Sequence, residues 1–350
     1  MLELLGEANA AALIGLIGGV ILGLAARIGR FCTLGAIEDV LYSSDDRRLR
    51  MWGLAIGVAI ICTHVAMSSG FMTPTDAAYL DRVWNPLATV IGGLVFGYGM
   101  ALAGNCGYGA LARLGGGDLR SLMIVLVMGL SAYVVMSGPL AELRVLLFPV
   151  ELQATSPQGF SQLAAEWNVS YAVTGLVIGG GIIVFSLASS EMLRSPGHIF
   201  WGATVGLAIV SGWLGTFWIA QTGFGNEPIE THTFAAPIGD TIYYAMTASG
   251  NTLSFSVGSV LGVVIGAMLG SYSKGHFRWE ACEDPRELKR QMLGAALMGA
   301  GAILAVGCSV GQGLSAFSVL AYSAPVAFVC IFIGASFGLR QLIEGFTPAE

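Results

Sequence analysis

Three cysteines stand in the same local setting. Cys32-Thr33-Leu34-Gly35, Cys106-Gly107-Tyr108-Gly109 and Cys308-Ser309-Val310-Gly311 each follow an apolar, glycine-rich stretch, and each has a glycine fourteen positions upstream, at Gly18, Gly92 and Gly294. A thiol is a weak S–H donor and a soft, polarizable group, a poor partner for a hard oxygen anion and a better one for a terminal sulfur. A helix that restarts after such a cysteine aims free N–H groups and the positive end of its dipole back at it, which makes an anion site. Gly107, Gly109, Gly311 and Gly313 are expected to open the approach to those N–H groups, and Asn105, Ser309 and Gln312 join them as candidate substrate-binding residues. A small oxoanion with a terminal sulfur would use both features. The same setting activates a thiol as a nucleophile, so a membrane sulfurtransferase carrying persulfide on Cys32, Cys106 and Cys308 stays open as the alternative.

These motifs sit in a chain that is 55% hydrophobic, 11% charged and has a mean hydropathy of +0.74, far from the composition of a soluble domain. The fold class expected is an all-α polytopic membrane protein. Fifty glycines in 350 residues suit helices that approach closely and backbone that bends where it is buried. A net charge of −6 with no basic patch excludes a nucleic-acid binder. Met1 to Ala10 carries no Lys or Arg, unlike the start of a cleaved leader, so the first apolar stretch is expected to remain in the protein. The six cysteines lack metal-ligand spacing and are expected to be free thiols, with no metal and no cofactor.

Hydropathy predicts nine crossings, at 11–28, 51–69, 87–104, 121–137, 169–189, 198–218, 254–272, 292–307 and 324–340. The segments 107–120 and 309–323 are too broken for full crossings and read as half-helices. The basic loops 43–50, 190–197 and 273–291 and the C-terminus belong on the cytoplasmic side, which leaves Arg82 and Arg144 as the basic residues outside. The N-terminus is then periplasmic. With that orientation the crossings that end at Cys106 and Cys308 run in opposite directions, so 11–137 and 198–340 are expected to be inverted repeats joined by 169–189 within a single transmembrane domain, 1–350. The fourth copy of the motif position falls on Thr216, without a thiol. Inverted repeats whose broken helices meet near the midplane are a transporter architecture.

Ile28-Gly29-Arg30-Phe31-Cys32, Gly104-Asn105-Cys106-Gly107-Tyr108-Gly109 and Val306-Gly307-Cys308-Ser309-Val310-Gly311-Gln312-Gly313 resemble the three cysteine motifs of the YeeE/YedE family, and the resemblance covers essentially the whole chain. It implies uptake of thiosulfate, or of a related small sulfur anion, across the bacterial inner membrane. The anion would be relayed by Cys32, Cys106 and Cys308 at the waist of an hourglass. A small cytoplasmic sulfur carrier of the TusA/YeeD type is the implied partner, and other sulfur or selenium compounds are implied for some members.

The remaining conspicuous residues have plainer readings. Cys62, Cys282 and Cys330 lack the motif and read as small buried hydrophobes. His64, in an apolar span, reads as a satisfied structural histidine rather than a proton-coupling group. Arg30 reads as a headgroup anchor, Asp118 and Arg120 as a helix cap, Trp213 and Trp218 as packing or interface aromatics. The segment 219–253, with Glu227, Glu230 and Asp240 and no basic residue, reads as a lid. No Cys-x-x-Cys, metal cluster or general base accompanies the motif cysteines, which favours a non-enzyme.

Overall fold

The computed structural model describes residues 6–149, 154, 156–223, 227–281 and 284–345, apart from the Asp76 side chain; Met1 to Leu5 and Cys282 lie outside them. Its principal helices are α1 (Glu7–Arg27), α2 (Thr33–Glu38), α3 (Arg47–Ser68), α4 (Pro86–Ala103), α5 (Gly107–Gly115), α6 (Leu119–Met136), α7 (Tyr171–Leu187), α8 (Pro196–Thr222), α9 (Ala236–Thr247), α10 (Phe255–Ser273), α11 (Pro285–Leu304) and α12 (Ser323–Glu344). Among the described residues only two isolated β-bridges, Asp118–Glu280 and Gly159–Ala321, interrupt this all-α architecture. Seven helical stretches are long and apolar enough to cross a membrane, with α4, its break and α5 counted together, and α7 is a shorter apolar helix. The protein is a polytopic membrane protein. Helix α11 begins with Arg286, Glu287, Lys289 and Arg290 and becomes apolar only afterwards.

Local chemistry sets the helix starts. Asn85, Ser170 and Ser254 each accept an N–H three residues on, from Ala88, Val173 and Val257, and Asp118 and Asp284 accept from Arg120 and Arg286, covering donors a helix start leaves open. Prolines at the first turn of α4, α8 and α11 cost no hydrogen bond there. Asp118 with Arg120 thus caps α6, and Arg120 also reaches Glu280.

Glycine sets the packing. Helix α1 lies along α10, α3 along α8, α4 along α12 and α6 along α11, while α4 also crosses α11. At that crossing a Cβ built on Gly92 would stand 2.7 Å from the Gly301 carbonyl oxygen, and one on Gly301 2.7 Å from that of Gly92. Gly99 and Gly294 form a second such pair, 2.6 Å each way. Because 92 meets 301 and 99 meets 294, α4 and α11 run antiparallel. The 202-residue offset that carries Cys106 to Cys308 also carries Gly92 to Gly294 and Gly99 to Gly301, so the two contacts exchange with one another.

The expected lid is corrected. Residues 236–247 form α9, packed on α6 and α10. The stretch before it folds back along α8: Thr231 donates to the Ile209 carbonyl at 2.6 Å, and Ser315 donates to the His232 carbonyl at 2.7 Å. Thr231, His232, Phe234 and Ala235 are buried. A polar, non-helical segment can lie this deep because its backbone groups find partners in protein rather than lipid. It is an inner wall, not a cover.

Candidate functional site

Each motif cysteine follows the same backbone device. The residue two positions before it has a left-handed φ: 54° at Arg30, 76° at Gly104 and 57° at Val306. Gly104 caps the incoming helix, and Arg30 and Val306 follow within two residues of the caps Ile28 and Ala305. The chain then turns so that Cys32 and Cys106 occupy the N-cap positions of α2 and α5, and Cys308 opens a helical segment that passes into a π-type stretch at Gly311–Ala316. A β-branched residue such as Val306 adopts a left-handed φ only when its surroundings impose it.

The sulfur atoms act as caps. Cys106 Sγ accepts the Gly109 N–H at 3.4 Å and Cys308 Sγ accepts the Gly311 N–H at 3.4 Å, the same i+3 geometry in both motifs. Cys308 Sγ also accepts the Phe234 N–H at 3.3 Å and meets Thr233 Oγ1 at 3.6 Å. Both partners come from the inner wall. The Phe234 ring lies 5.3 Å from the ring of Tyr108, whose hydroxyl donates to the Leu22 carbonyl, so one segment braces two cysteine motifs. Cys106 and Cys308 are buried and Cys32 is partly exposed. Cys106 lies within electrostatic reach of both others.

Beside these thiols lie buried polar groups with no partner. Thr33 Oγ1, both side-chain polar atoms of Asn105, and Ser309 Oγ make no hydrogen bond, and the three residues are 3%, 1% and 0% exposed. Ser309 Oγ stands next to the Cys106 thiol without hydrogen-bond geometry to it. Buried polar atoms are normally paired. Four unpaired atoms lie on residues adjacent to the three motif cysteines, and others, such as those of Thr63 and Gln291, lie elsewhere among the described residues.

The other predicted residues divide. Gln312 donates to the Ala305 and Val306 carbonyls at 2.7 and 3.1 Å and accepts from Ser323 at 3.1 Å; its side chain closes the end of α11. Protein fills the space at Gly107, where a Cβ would stand 2.8 Å from the Met128 sulfur, and at Gly313, where it would meet Phe328 and Trp52. A Cβ at Gly109 would meet only Asn105 and Cys106, and one at Gly311 would meet Thr233 Oγ1 at 2.5 Å and the Tyr79 hydroxyl at 3.1 Å.

The two side chains that close over Gly311, Tyr79 and Thr233, also line a cavity of about 320 Å³, together with Arg82, Arg144, Glu230 and Gln312 among others. It opens at the bundle end where α4 and α12 begin and α6 and α11 finish. Arg144 Nε is buried and unpaired. Cys32 lies toward the other end, where Arg27 bonds Ser271 and the His276 carbonyl. Away from the site, His64 binds the Ile60 carbonyl and Ser161 through its two ring nitrogens. Trp213 donates to Ser318, and Trp218 is partly exposed. Thr216 lies inside unbroken α8 and bonds the Glu230 backbone. Cys62 and Cys330 are free thiols in the packing.

Thr33, Thr233, Phe234 and Tyr79 escaped the reading of the sequence. Thr33 follows Cys32 as Ser309 follows Cys308, a signal present in the motif. Nothing local ties the other three to Cys308.

Residues 28–337 match the sulphur transport family. The chain is 26% identical over 341 residues to the thiosulfate transporter TsuA of Escherichia coli, covering 91% of each chain. It is 25% identical over 329 residues to the thiosulfate transporter TsuA of Spirochaeta thermophila, covering 91% of this chain and 96% of that one.

Proposed function

Because the chain belongs to the sulphur transport family, we propose that it carries thiosulfate across the bacterial inner membrane, by way of Cys308, Cys106 and Cys32 in that order. The observation that carries this reading is the set of unpaired buried atoms at Thr33, Asn105 and Ser309, each beside a motif cysteine. An anion with oxygens at one end and a sulfur at the other accepts from the two hydroxyls and the Asn105 amide nitrogen while its sulfur meets the thiols. Arg82 and Arg144 line the entry cavity and draw the anion in; hydroxyls and thiols beyond them hold it weakly enough to release.

The proposal includes the topology. Residues 11–137 and 198–340 form inverted repeats about α7, the N-terminus is periplasmic and the C-terminus cytoplasmic. Cys32 then delivers the anion on the side where a TusA/YeeD-like sulfur carrier would collect it. The protein acts as a transporter rather than an enzyme, and its thiols make no covalent bond to the cargo.

Uptake of sulfur-labelled thiosulfate into proteoliposomes tests the reading, with excess sulfate as competitor. Uptake is expected to resist sulfate, to vanish in Cys106→Ala and to persist in Cys62→Ala. Equal loss in both variants, or in neither, removes the case for a motif-specific thiol.

A further inference from the structure

One carboxyl lines the cavity through which, on the proposed function, the anion reaches Cys308. Glu230 shares that wall with Tyr79, Thr233, Arg82 and Arg144. It belongs to the connecting segment between α8 and α9 and is fastened there through its backbone: its N–H donates to Thr216 Oγ1 at 3.2 Å, and its carbonyl accepts from the same hydroxyl at 2.9 Å. Its carboxyl has a neutral partner, accepting from Ser256 at 3.2 Å. No ion pair of the described residues includes it.

The groups around it are few. Glu227 lies on the same segment, and Asp240, bonded to Tyr133, approaches from α9. Tyr79 and Arg82 face it from the turn before α4, and Arg144 lines the cavity from the helix Ala141–Leu147. Ionised, Glu230 would place a negative charge in the same cavity wall as the two arginines, on the proposed route of a divalent anion. Neutral, it offers an O–H donor on the same route.

We propose that Glu230 is the proton-binding site of the entrance, and that the anion passes to Cys308 only while this carboxyl is neutral. Burial raises its pKa from the usual carboxylate range to about 7, with Asp240 and Glu227 adding to the rise and the Ser256 bond opposing it. The sign follows. The carboxyl is neutral below that value and ionised above it, so uptake falls as the pH rises through neutrality.

The test is labelled-thiosulfate uptake into proteoliposomes, with the same buffer on both sides, at a series of pH values from 6 to 8. Wild-type uptake is expected to drop roughly ten-fold, the ratio of neutral fractions for a group titrating at about 7. Glu230→Gln should stay near the pH 6 rate throughout. Asp240→Asn should move the midpoint down, and Ser256→Ala should move it up. The Ser256 variant keeps the test decisive if Glu230→Gln does not fold. A flat wild-type profile, a full drop retained in Glu230→Gln, or a Ser256→Ala profile superposable on wild type overturns the proposal. Absence of wild-type uptake at every pH overturns the transport reading instead.

Discussion

Replacing Ser309 with alanine should make the protein more stable and a worse transporter. The hydroxyl is 0% exposed and unpaired, and an unpaired buried hydroxyl costs about 1–3 kcal/mol. Alanine keeps the backbone and the β-carbon, so it removes that cost and leaves a space only one oxygen wide. The unliganded variant should gain about 1–2 kcal/mol, roughly 1–3 °C in Tm at about 2.1 cal/mol/K of unfolding entropy per residue over 350 residues. A hydrogen bond to a charged group contributes about 1.5–3 kcal/mol, so thiosulfate affinity should fall roughly 10- to 100-fold. The assay is thermal unfolding in detergent across a thiosulfate titration, because a ligand raises stability in proportion to RT ln(1 + [L]/Kd). Wild type should show the lower starting Tm and the larger rise. A Ser309→Ala protein that starts less stable than wild type and gains as much from thiosulfate refutes the reasoning, because the hydroxyl would then serve the fold and not the anion.

Cys308→Ser should retain part of the uptake, since a hydroxyl can still donate to the cargo and accept from Phe234 and Gly311, whereas Cys308→Ala leaves those N–H groups unpaired and should abolish it. If serine fails as completely as alanine, and mass spectrometry after turnover finds motif cysteines about 32 Da heavier, the mass of one sulfur, the persulfide alternative replaces simple passage. Gly301→Ala forces a methyl group against the Gly92 carbonyl and Phe96 backbone and should cost about 1–3 kcal/mol, the range for overpacking. Unfolding of the purified variant measures this, and an unchanged Tm would show that α4 and α11 separate easily.

The apolar spans were legible because a membrane helix announces itself by length and composition, and the motif cysteines because three copies share one exit. The charged start of α11 shows the limit of that signal: its first turns are too polar for a hydropathy window, although Asp284 and Pro285 mark the cap. The segment 219–253 reads as a lid because it carries Glu227, Glu230 and Asp240 and no basic residue. Its depth is set by Thr216, Ile209 and Ser315, distant in sequence, and no periodicity reports such contacts. Gln312 illustrates the converse. Its type and position beside Gly311 suggested a ligand contact, but the open carbonyls at the end of α11 claim its amide. Thr33 was within reach, since it repeats the Cys-hydroxyl pair of Cys308 and Ser309.

Glycine-to-backbone contact along α1 with α10, α4 with α12 and α4 with α11 leaves these helices no slack. Sliding or rocking one against another would open gaps over many residues at once, so the bundle is stiff as a scaffold. The wall from Glu227 to Ala235 is not helical but is tied by its own hydrogen bonds to α8 and to the Cys308 segment, which leaves the side chains around the thiols as the parts free to move. On the proposed function, passage would proceed with the scaffold still, paced by rotamer motions of those side chains rather than by the microsecond-to-millisecond swings of whole domains. Throughput in such a protein is limited by how quickly each weak hold lets go, and it should respond little to bilayer thickness or viscosity.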